Sequence, residues 1–324
     1  TFLIIIYLVM GSTEELPSGS ANPIGGNKTK SDFLFLEELG EGSYSTVYLG
    51  SERETHRRFA IKVCSKTQII REKKITQIFR EKECLTLLST KENFHPFVVR
   101  LYCTFQDSES LYFVLSLASR RDLLAVLKKK KKLSIEEAKF ANAEITMALG
   151  HIHKLGVLHR DVKPENVLLS ETGHMILSDF GCAKKIKDPD NQNPPEDVSV
   201  QARRASFVGT AHYVSPEVLQ NKPVDETCDY WALGCIIYQC LAGDRPFNDV
   251  SEYFIFRKIT AGKYEFPGDF GNPEAKDLIE KLLILESEDR LGSKKTGGVK
   301  SIMDHQFFEG IDWNAISEIT SPLL

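Results

Sequence analysis

The sequence predicts an α+β fold of two lobes, a β-rich one followed by a helical one, on three observations. From Phe33 to Leu117 the pattern reads mostly as strands, with one strong helical stretch near Ile75–Leu88. From Asp122 onward it turns helical, with short strands only around two acidic motifs. A glycine-rich turn at Gly40–Val47 continues into Thr46-Val47-Tyr48-Leu49, a β-branched and aromatic run that suits a strand rather than a helix. Strands followed by helices imply segregated layers, with a cleft expected between them.

Composition sets the outer bounds. The 324 residues are 42% hydrophobic and 27% charged, ordinary for a globular chain with one large domain or two lobes. The net charge of −4 gives no basic field, so neither nucleic acid nor direct membrane contact is expected. Seven cysteines are scattered without a C-x-x-C pair. That excludes a disulfide framework or zinc site and points to a reducing, cytoplasmic setting.

In chain order, Phe2–Met10 is an apolar run too short to span a bilayer. It lacks the basic flank of a signal peptide, and a fragment boundary or mistranslated segment is the expectation. Residues 1–31 are expected as a disordered leader, 32–118 as the first lobe, 119–313 as the second and 314–324 as a tail. The hinge is expected at Ser116–Ser119. Lys128–Lys132 reads as a solvated helix end, where cations suit the C-terminal dipole. The stretch 188–197, with three prolines and no other apolar residue, reads as a mobile insert.

The chemistry-bearing residues follow the same order. In Gly40-Glu41-Gly42-Ser43-Tyr44-Ser45-Thr46-Val47 the third glycine of a G-x-G-x-x-G pattern is replaced by Ser45. The loop reads as a hairpin lying over phosphates, where glycine lets backbone N–H groups approach anionic oxygens. Lys62 lies inside an apolar strand, and a buried lysine needs a partner. Glu81 shares a helical stripe with Ile78, Leu85 and Leu88, and a carboxylate facing a core needs a cation. The two are expected to pair.

His159-Arg160-Asp161-Val162-Lys163-Pro164-Glu165-Asn166 precedes Asp179-Phe180-Gly181, with thirteen positions from Asn166 to Asp179. Together these resemble the catalytic loop and metal-binding motif of protein kinases. By that resemblance Asp161 accepts or orients the substrate hydroxyl, and Lys163 neutralises the transferred phosphoryl group. Asn166 and Asp179 hold Mg2+, and Lys62 with Glu81 positions the phosphates of ATP. His159 and Phe180 are expected to pack rather than react. Glu217 of Ser215-Pro216-Glu217 is expected to pair with Arg290, and Asp229 to cap backbone amides of the catalytic loop. Cys182, directly after the metal motif, is a candidate for covalent trapping only if it faces the nucleotide. Lysine two residues after Asp161, and Gly209-Thr210 before Tyr213, favour serine/threonine specificity, with Thr210 bridging Asp161 and Lys163.

The likeness is closer than class level. Leu101-Tyr102-Cys103-Thr104-Phe105-Gln106-Asp107, Ser206-Phe207-Val208-Gly209-Thr210-Ala211, Tyr213-Val214-Ser215-Pro216-Glu217 and Trp231–Gln239 resemble the 3-phosphoinositide-dependent protein kinases of the AGC group. The match runs from about Asp32 to Trp313. It implies a two-lobed protein kinase fold and phosphorylation of activation-loop threonines or serines in other AGC kinases. It also implies nucleotide contacts: Gly40, Glu41, Gly42, Ser43 and Tyr44 over the phosphates, and Leu115 as gatekeeper. The backbones of Ser116 and Ala118 would meet the adenine, and Val47, Ala60 and Leu168 would sandwich its ring. Asp122 would lie near the ribose, and Glu165 completes the set. The family's pleckstrin-homology domain does not occur before Leu324, so direct phosphoinositide binding is not expected of this chain.

Two regulatory expectations follow. Ser206, after Arg203 and Arg204, is a candidate phosphorylation site, its phosphate docking on Arg160, Arg80 and Lys184. No aromatic residue follows Trp313, so the chain lacks the F-x-x-F/Y tail of many AGC kinases. A groove lined by Lys66, Ile70 and Leu111 is expected to take the C-terminal hydrophobic motif of a substrate kinase. Lys82, Thr104 and Gln106 would receive that motif's phosphate, Lys82 without the bidentate fork of an arginine. A pseudokinase scaffold would lack one of Lys62, Asp161, Asn166 or Asp179, and a small-molecule phosphotransferase would lack the Thr210–Glu217 segment. All are present.

Overall fold

The structure, a computed structural model, describes residues 28–186 and 211–324. The chain divides into two compact units, Thr1–Ser119 and Arg120–Leu324.

The first unit is built on one antiparallel sheet. Its strands are β1 (Phe33–Glu41), β2 (Ser45–Glu52), β3 (Arg58–Ser65), β4 (Leu101–Gln106) and β5 (Ser110–Leu115), in the order β1-β2-β3-β5-β4. The period-2 alternation of β3 separates two faces. Phe59 and Ile61 join Phe33, Phe105, Tyr112 and Val114 in an aromatic-rich core. Phe33 stacks on Phe105 with centroids 5.6 Å apart, and Phe105 on Tyr112 at 4.6 Å. Ala60, Lys62 and Cys64 point the other way, Lys62 opposite Phe113 and Cys64 opposite Leu111 in register. The helix α2 (Ile75–Leu88) spans the stretch predicted for it and buries Ile78, Glu81, Cys84, Leu85 and Leu88.

One element was not anticipated. A helix α1 (Lys66–Arg71) directly follows β3, its amino end capped by Ser65, whose hydroxyl accepts from the Gln68 amide at 3.4 Å. At six residues it is too short to show a helical stripe, which is why periodicity does not reveal it.

The second unit is helical. It comprises α3 (Leu123–Lys130), α4 (Ile135–Lys154), α5 (Pro216–Leu219), α6 (Thr227–Ala242), α7 (Glu252–Ala261), α8 (Pro273–Leu282) and α9 (Val299–Met303). Ser134 and Glu137 form a capping box at the start of α4. The α6 helix is buried from Thr227 to Leu241, so it is a core helix rather than an amphipathic surface one. It approaches α8 closely at Gly234, where an added Cβ would lie 2.9 Å from the Leu282 Cβ. The lysine run ends α3 as expected, exposed, with Lys130 paired to Glu137 and Lys132 to Asp269.

Four short strands place the acidic motifs. β7 (Val167–Leu169) and β8 (Met175–Leu177) form a hairpin, and β6 (Val157–Leu158) pairs with β9 (Lys184–Lys185). No helix among the described residues is long and apolar enough to cross a membrane.

Candidate active site

The catalytic loop lies between β6 and β7, and its backbone is held by Asp229 at the start of α6. The Asp229 carboxylate accepts from the His159 amide at 2.9 Å and the Arg160 amide at 2.8 Å, the capping role expected of it. A third contact was not anticipated: His153 Nε2 lies 2.8 Å from the same carboxylate, and its Nδ1 2.9 Å from the Tyr230 hydroxyl. His153 is in the last turn of α4. Nothing in the local sequence joins it to a residue of α6, so only the packed fold reveals this partner. Burial pushes the Asp229 carboxyl up, but its hydrogen bonds with the His153 ring and the His159 amide outweigh that and hold it below the usual carboxylate range. Arg160 adopts a left-handed backbone, φ 65°, so the chain turns sharply before Asp161. His159 packs on Phe180 with centroids 4.9 Å apart, and its Nε2 lies 2.9 Å from the Ser178 carbonyl. Both residues are packing groups, as read from the sequence.

Beyond that turn, the loop gathers three side chains. Lys163 Nζ donates to Asp161 Oδ2 at 2.8 Å. Asn166 Nδ2 donates to the Asp161 carbonyl at 2.8 Å and to Oδ2 at 3.0 Å. Burial raises the Asp161 pKa, aided by the negative charge of Asp179, although Lys163 opposes the shift. Burial pulls the Lys163 ammonium down, but Asp161 outweighs it and holds the pKa above the ordinary lysine value. Lys163 is therefore a committed cation beside a carboxylate whose remaining oxygen is available.

The β7–β8 hairpin sets Asn166 against Asp179. Val167 pairs with Leu177, and the Ser178 amide and hydroxyl both donate to the Asn166 carbonyl, at 2.8 and 2.9 Å. Ser178 is a positioning residue that motif reading passed over. Asp179 follows it in a left-handed conformation, φ 59°, its Oδ1 facing the Gly181 amide at 3.4 Å. With the Asn166 Nδ2 engaged by Asp161, its Oδ1 and the Asp179 carboxylate are the hard oxygen donors at this point. Magnesium takes such a set, completing its shell with water and phosphate oxygens. The residues present therefore fit the ion.

In the first unit, Lys62 Nζ and Glu81 Oε1 lie 2.5 Å apart, both buried. The glycine-rich segment is the hairpin expected from its composition, with Gly40 opposite Val47 and Glu41 opposite Thr46. The Gly42 amide donates to the Ser45 carbonyl at 2.7 Å, closing the turn, and Ser43 at its tip is exposed. Tyr44, half-buried, accepts at its carbonyl from the Ser65 amide at 3.0 Å. Val47, Ala60 and Leu115 are half-buried on this unit, as Leu168 is on the other.

Three expected nucleotide contacts are narrowed. The Ser116 amide donates to the Arg100 carbonyl at 2.8 Å, so only its carbonyl remains for an adenine. Asp122 Oδ1 caps α3 through the Ala125 amide at 2.7 Å, leaving Oδ2 for a ribose. Glu165 has its Oε2 buried without a partner among the described residues. Cys182 is half-buried, and burial with the Asp161 and Asp179 charges pushes its thiol up to about 12. It is poorly suited to covalent trapping.

The residues expected to line a docking groove differ in burial. Lys66 and Leu111 are 3% and 1% exposed. Lys66 Nζ donates to Gln106 Oε1 at 2.8 Å and the Asp107 carbonyl at 2.6 Å, which also engages the Gln106 expected to meet a phosphate. Ile70, Lys82 and Thr104 remain half-buried. Glu217 forms the expected pair with Arg290, at 2.8 and 3.0 Å. Ser206 and Thr210 lie outside the described residues.

Comparison with known proteins adds an independent line. The chain matches the protein kinase domain family over residues 33–308. It is 46% identical over 297 residues to the human 3-phosphoinositide-dependent protein kinase 1, covering 92% of this chain and 51% of that protein. A further human relative of the same family, numbered 2, is 45% identical and covered over 71% of its length. The Arabidopsis thaliana 3-phosphoinositide-dependent protein kinase 1 is 40% identical, with 92% of this chain and 59% of that protein covered. The chain spans about half the length of the rat, human and mouse proteins numbered 1 that it matches.

Proposed function

Because the chain belongs to the protein kinase family, and within it to the 3-phosphoinositide-dependent kinases, we propose that it transfers the terminal phosphoryl group of ATP to serine or threonine in other AGC kinases. The observation that carries this reading is the Asp161–Lys163–Asn166 cluster, held from behind by Asp229 and from the side by the β7–β8 hairpin. Asp161 orients the substrate hydroxyl and receives its proton. Lys163 offsets the charge of the moving phosphoryl group. These are positioning and electrostatic tasks, the main protein contribution to phosphoryl transfer.

Lys62, fixed by Glu81, acts on the phosphates of ATP, with Gly40, Glu41, Gly42, Ser43 and Tyr44 over them. Val47, Ala60, Leu115 and Leu168 meet the adenine, Ser116 through its carbonyl and Ala118 through its backbone. Asn166 and Asp179 would hold magnesium, which supplies charge neutralisation to the phosphates. Thr210 ties the activation segment to Asp161 and Lys163, and Ser206 is its phosphorylation site. The partner is a substrate kinase whose C-terminal hydrophobic motif docks on the α2 side of the sheet near Ile70, Lys82 and Thr104. A cytoplasmic location accords with the undisulfided cysteines.

The test uses purified protein with Mg-ATP and two peptides, one copied from the activation loop of protein kinase B and one generic basic peptide. Strong preference for the first is expected. Turnover of neither, or equal turnover of both, would overturn the proposed substrate class.

A further inference from the structure

Behind the catalytic loop lies a cavity of about 20 Å³ lined by Arg160, Asp161, Tyr213, Ser215, Cys228 and Asp229, among others. That is room for one water molecule. Ser215 is 2% exposed, and its Oγ has no hydrogen-bond partner among the described residues. The hydroxyl precedes α5 but makes no capping bond to it. Leaving such a group buried and unpaired is costly unless something in the cavity satisfies it.

The other wall has a matching vacancy in its bonding capacity. A carboxylate has about four acceptor positions. Asp229 fills three with the amides of His159 and Arg160 and the ring nitrogen of His153. Its remaining contact is the Cys228 thiol, 3.8 Å from Oδ1, a weak donor at long range. A buried hydroxyl and an unfilled carboxylate position thus border one water-sized space.

We propose that this cavity is a built water site, and that Ser215 is a positioning residue acting on the catalytic loop through it. The water accepts from Ser215 Oγ and donates to Asp229 Oδ1. It thereby ties the Ser-Pro-Glu segment to the carboxylate that sets the His159 and Arg160 amides. Arg160 already holds a left-handed backbone next to Asp161. Asp229 holds the amide of Arg160, the residue next to Asp161, so a shift in Asp229 is passed directly to the catalytic loop. Alanine at position 215 would break the link without touching substrate, nucleotide or metal ligand.

Three measurements test it, one of them resting on the kinase reading. The first is a crystal structure of the wild-type chain at a resolution that shows ordered water. A water within hydrogen-bond distance of both Ser215 Oγ and Asp229 is expected, and a dry cavity overturns the proposal. The second compares Ser215→Ala with wild type on the activation-loop peptide. A fall in kcat of roughly tenfold is expected, by analogy with small misplacements of catalytic groups. KM for ATP and peptide should stay within about twofold, because the lost contact touches neither. An unchanged kcat overturns the positioning role. Denaturation supplies a sign: a hydroxyl left unsatisfied makes the alanine variant equally or more stable, whereas a hydroxyl bonded through water makes it less stable. An inactive wild type would count against the kinase reading, and the crystallographic arm would still decide the water site. That arm also decides if Ser215→Ala does not fold.

Discussion

Asp161 is the residue on which the proposed chemistry turns, and its surroundings divide binding from turnover. The proposed metal donors are Asn166 and Asp179, so Asp161→Asn should bind ATP normally while kcat falls by on the order of 10²-fold or more. A nucleotide-binding titration beside a turnover assay checks both halves. Glu144 offers a second, purely structural test. It is fully buried on α4, where its carboxylate oxygens meet His174 Nδ1 at 2.6 Å and the Met175 amide at 2.7 Å. Burial raises its pKa to about 9 and lowers that of His174, so the pair is held neutral. The raised value fixes the sign. The folded chain binds a proton here that the unfolded chain loses above the ordinary glutamate range. Stability from this group is therefore full at low pH and declines as pH rises toward 9. Glu144→Gln, which keeps the shape and stays neutral, should remove that decline, as denaturant midpoints at pH 5 and pH 8 would show. At this scale the sequence was legible where a pattern or a kinase motif carried the residue. Lys62 with Glu81 could be paired from a buried lysine and a helical stripe, and Glu217 with Arg290 from the kinase resemblance. His153 and Ser178 could not, because their partners are set by how α4, α6 and the β7–β8 hairpin meet.

Elements carry the next set of constraints. Arg290 is fully buried, bidentate to Glu217, bonded to the Thr227 carbonyl at 2.8 Å and stacked over Trp231 at 5.1 Å. It joins α5, the start of α6 and the loop after α8. Removing one charge leaves the other buried and alone, so Glu217→Gln should cost about 3–5 kcal/mol. Thermal or denaturant unfolding measures it. The β5 strand gives a contrasting case. Leu111 is 1% exposed, so Leu111→Glu should reduce folded yield by burying an unpaired charge. It therefore cannot report on peptide docking, and Ile70→Asp is the informative substitution for that question. The sequence marked α2 as a helix among strands. It did not show how deeply Leu111 is buried, because alternation within a strand does not say what packs over it.

The whole chain is two compact units, each with its own apolar interior. None of its seven cysteines is exposed: five are buried and two half-buried. Burial pushes the thiols of Cys103, Cys182 and Cys240 up to about 12. The folded protein should therefore resist alkylation at pH 8 and react at all seven positions once unfolded, which mass spectrometry of iodoacetamide-treated samples would count. Fold class and the order of the units were legible because strand and helix patterns occupy separate halves of the sequence. The short α1 was not, since six residues are less than two helical turns. One further consequence concerns synthesis. The α6 helix is buried along nearly its whole length, and Gly234 lets α8 pack closely against it. A ribosome makes α6 well before α8, so a nascent chain ending between residues 243 and 272 exposes a helix with no surface suited to water. Such a chain is a natural client for a chaperone, and release at that length should yield aggregate where a chain reaching Leu324 yields soluble protein.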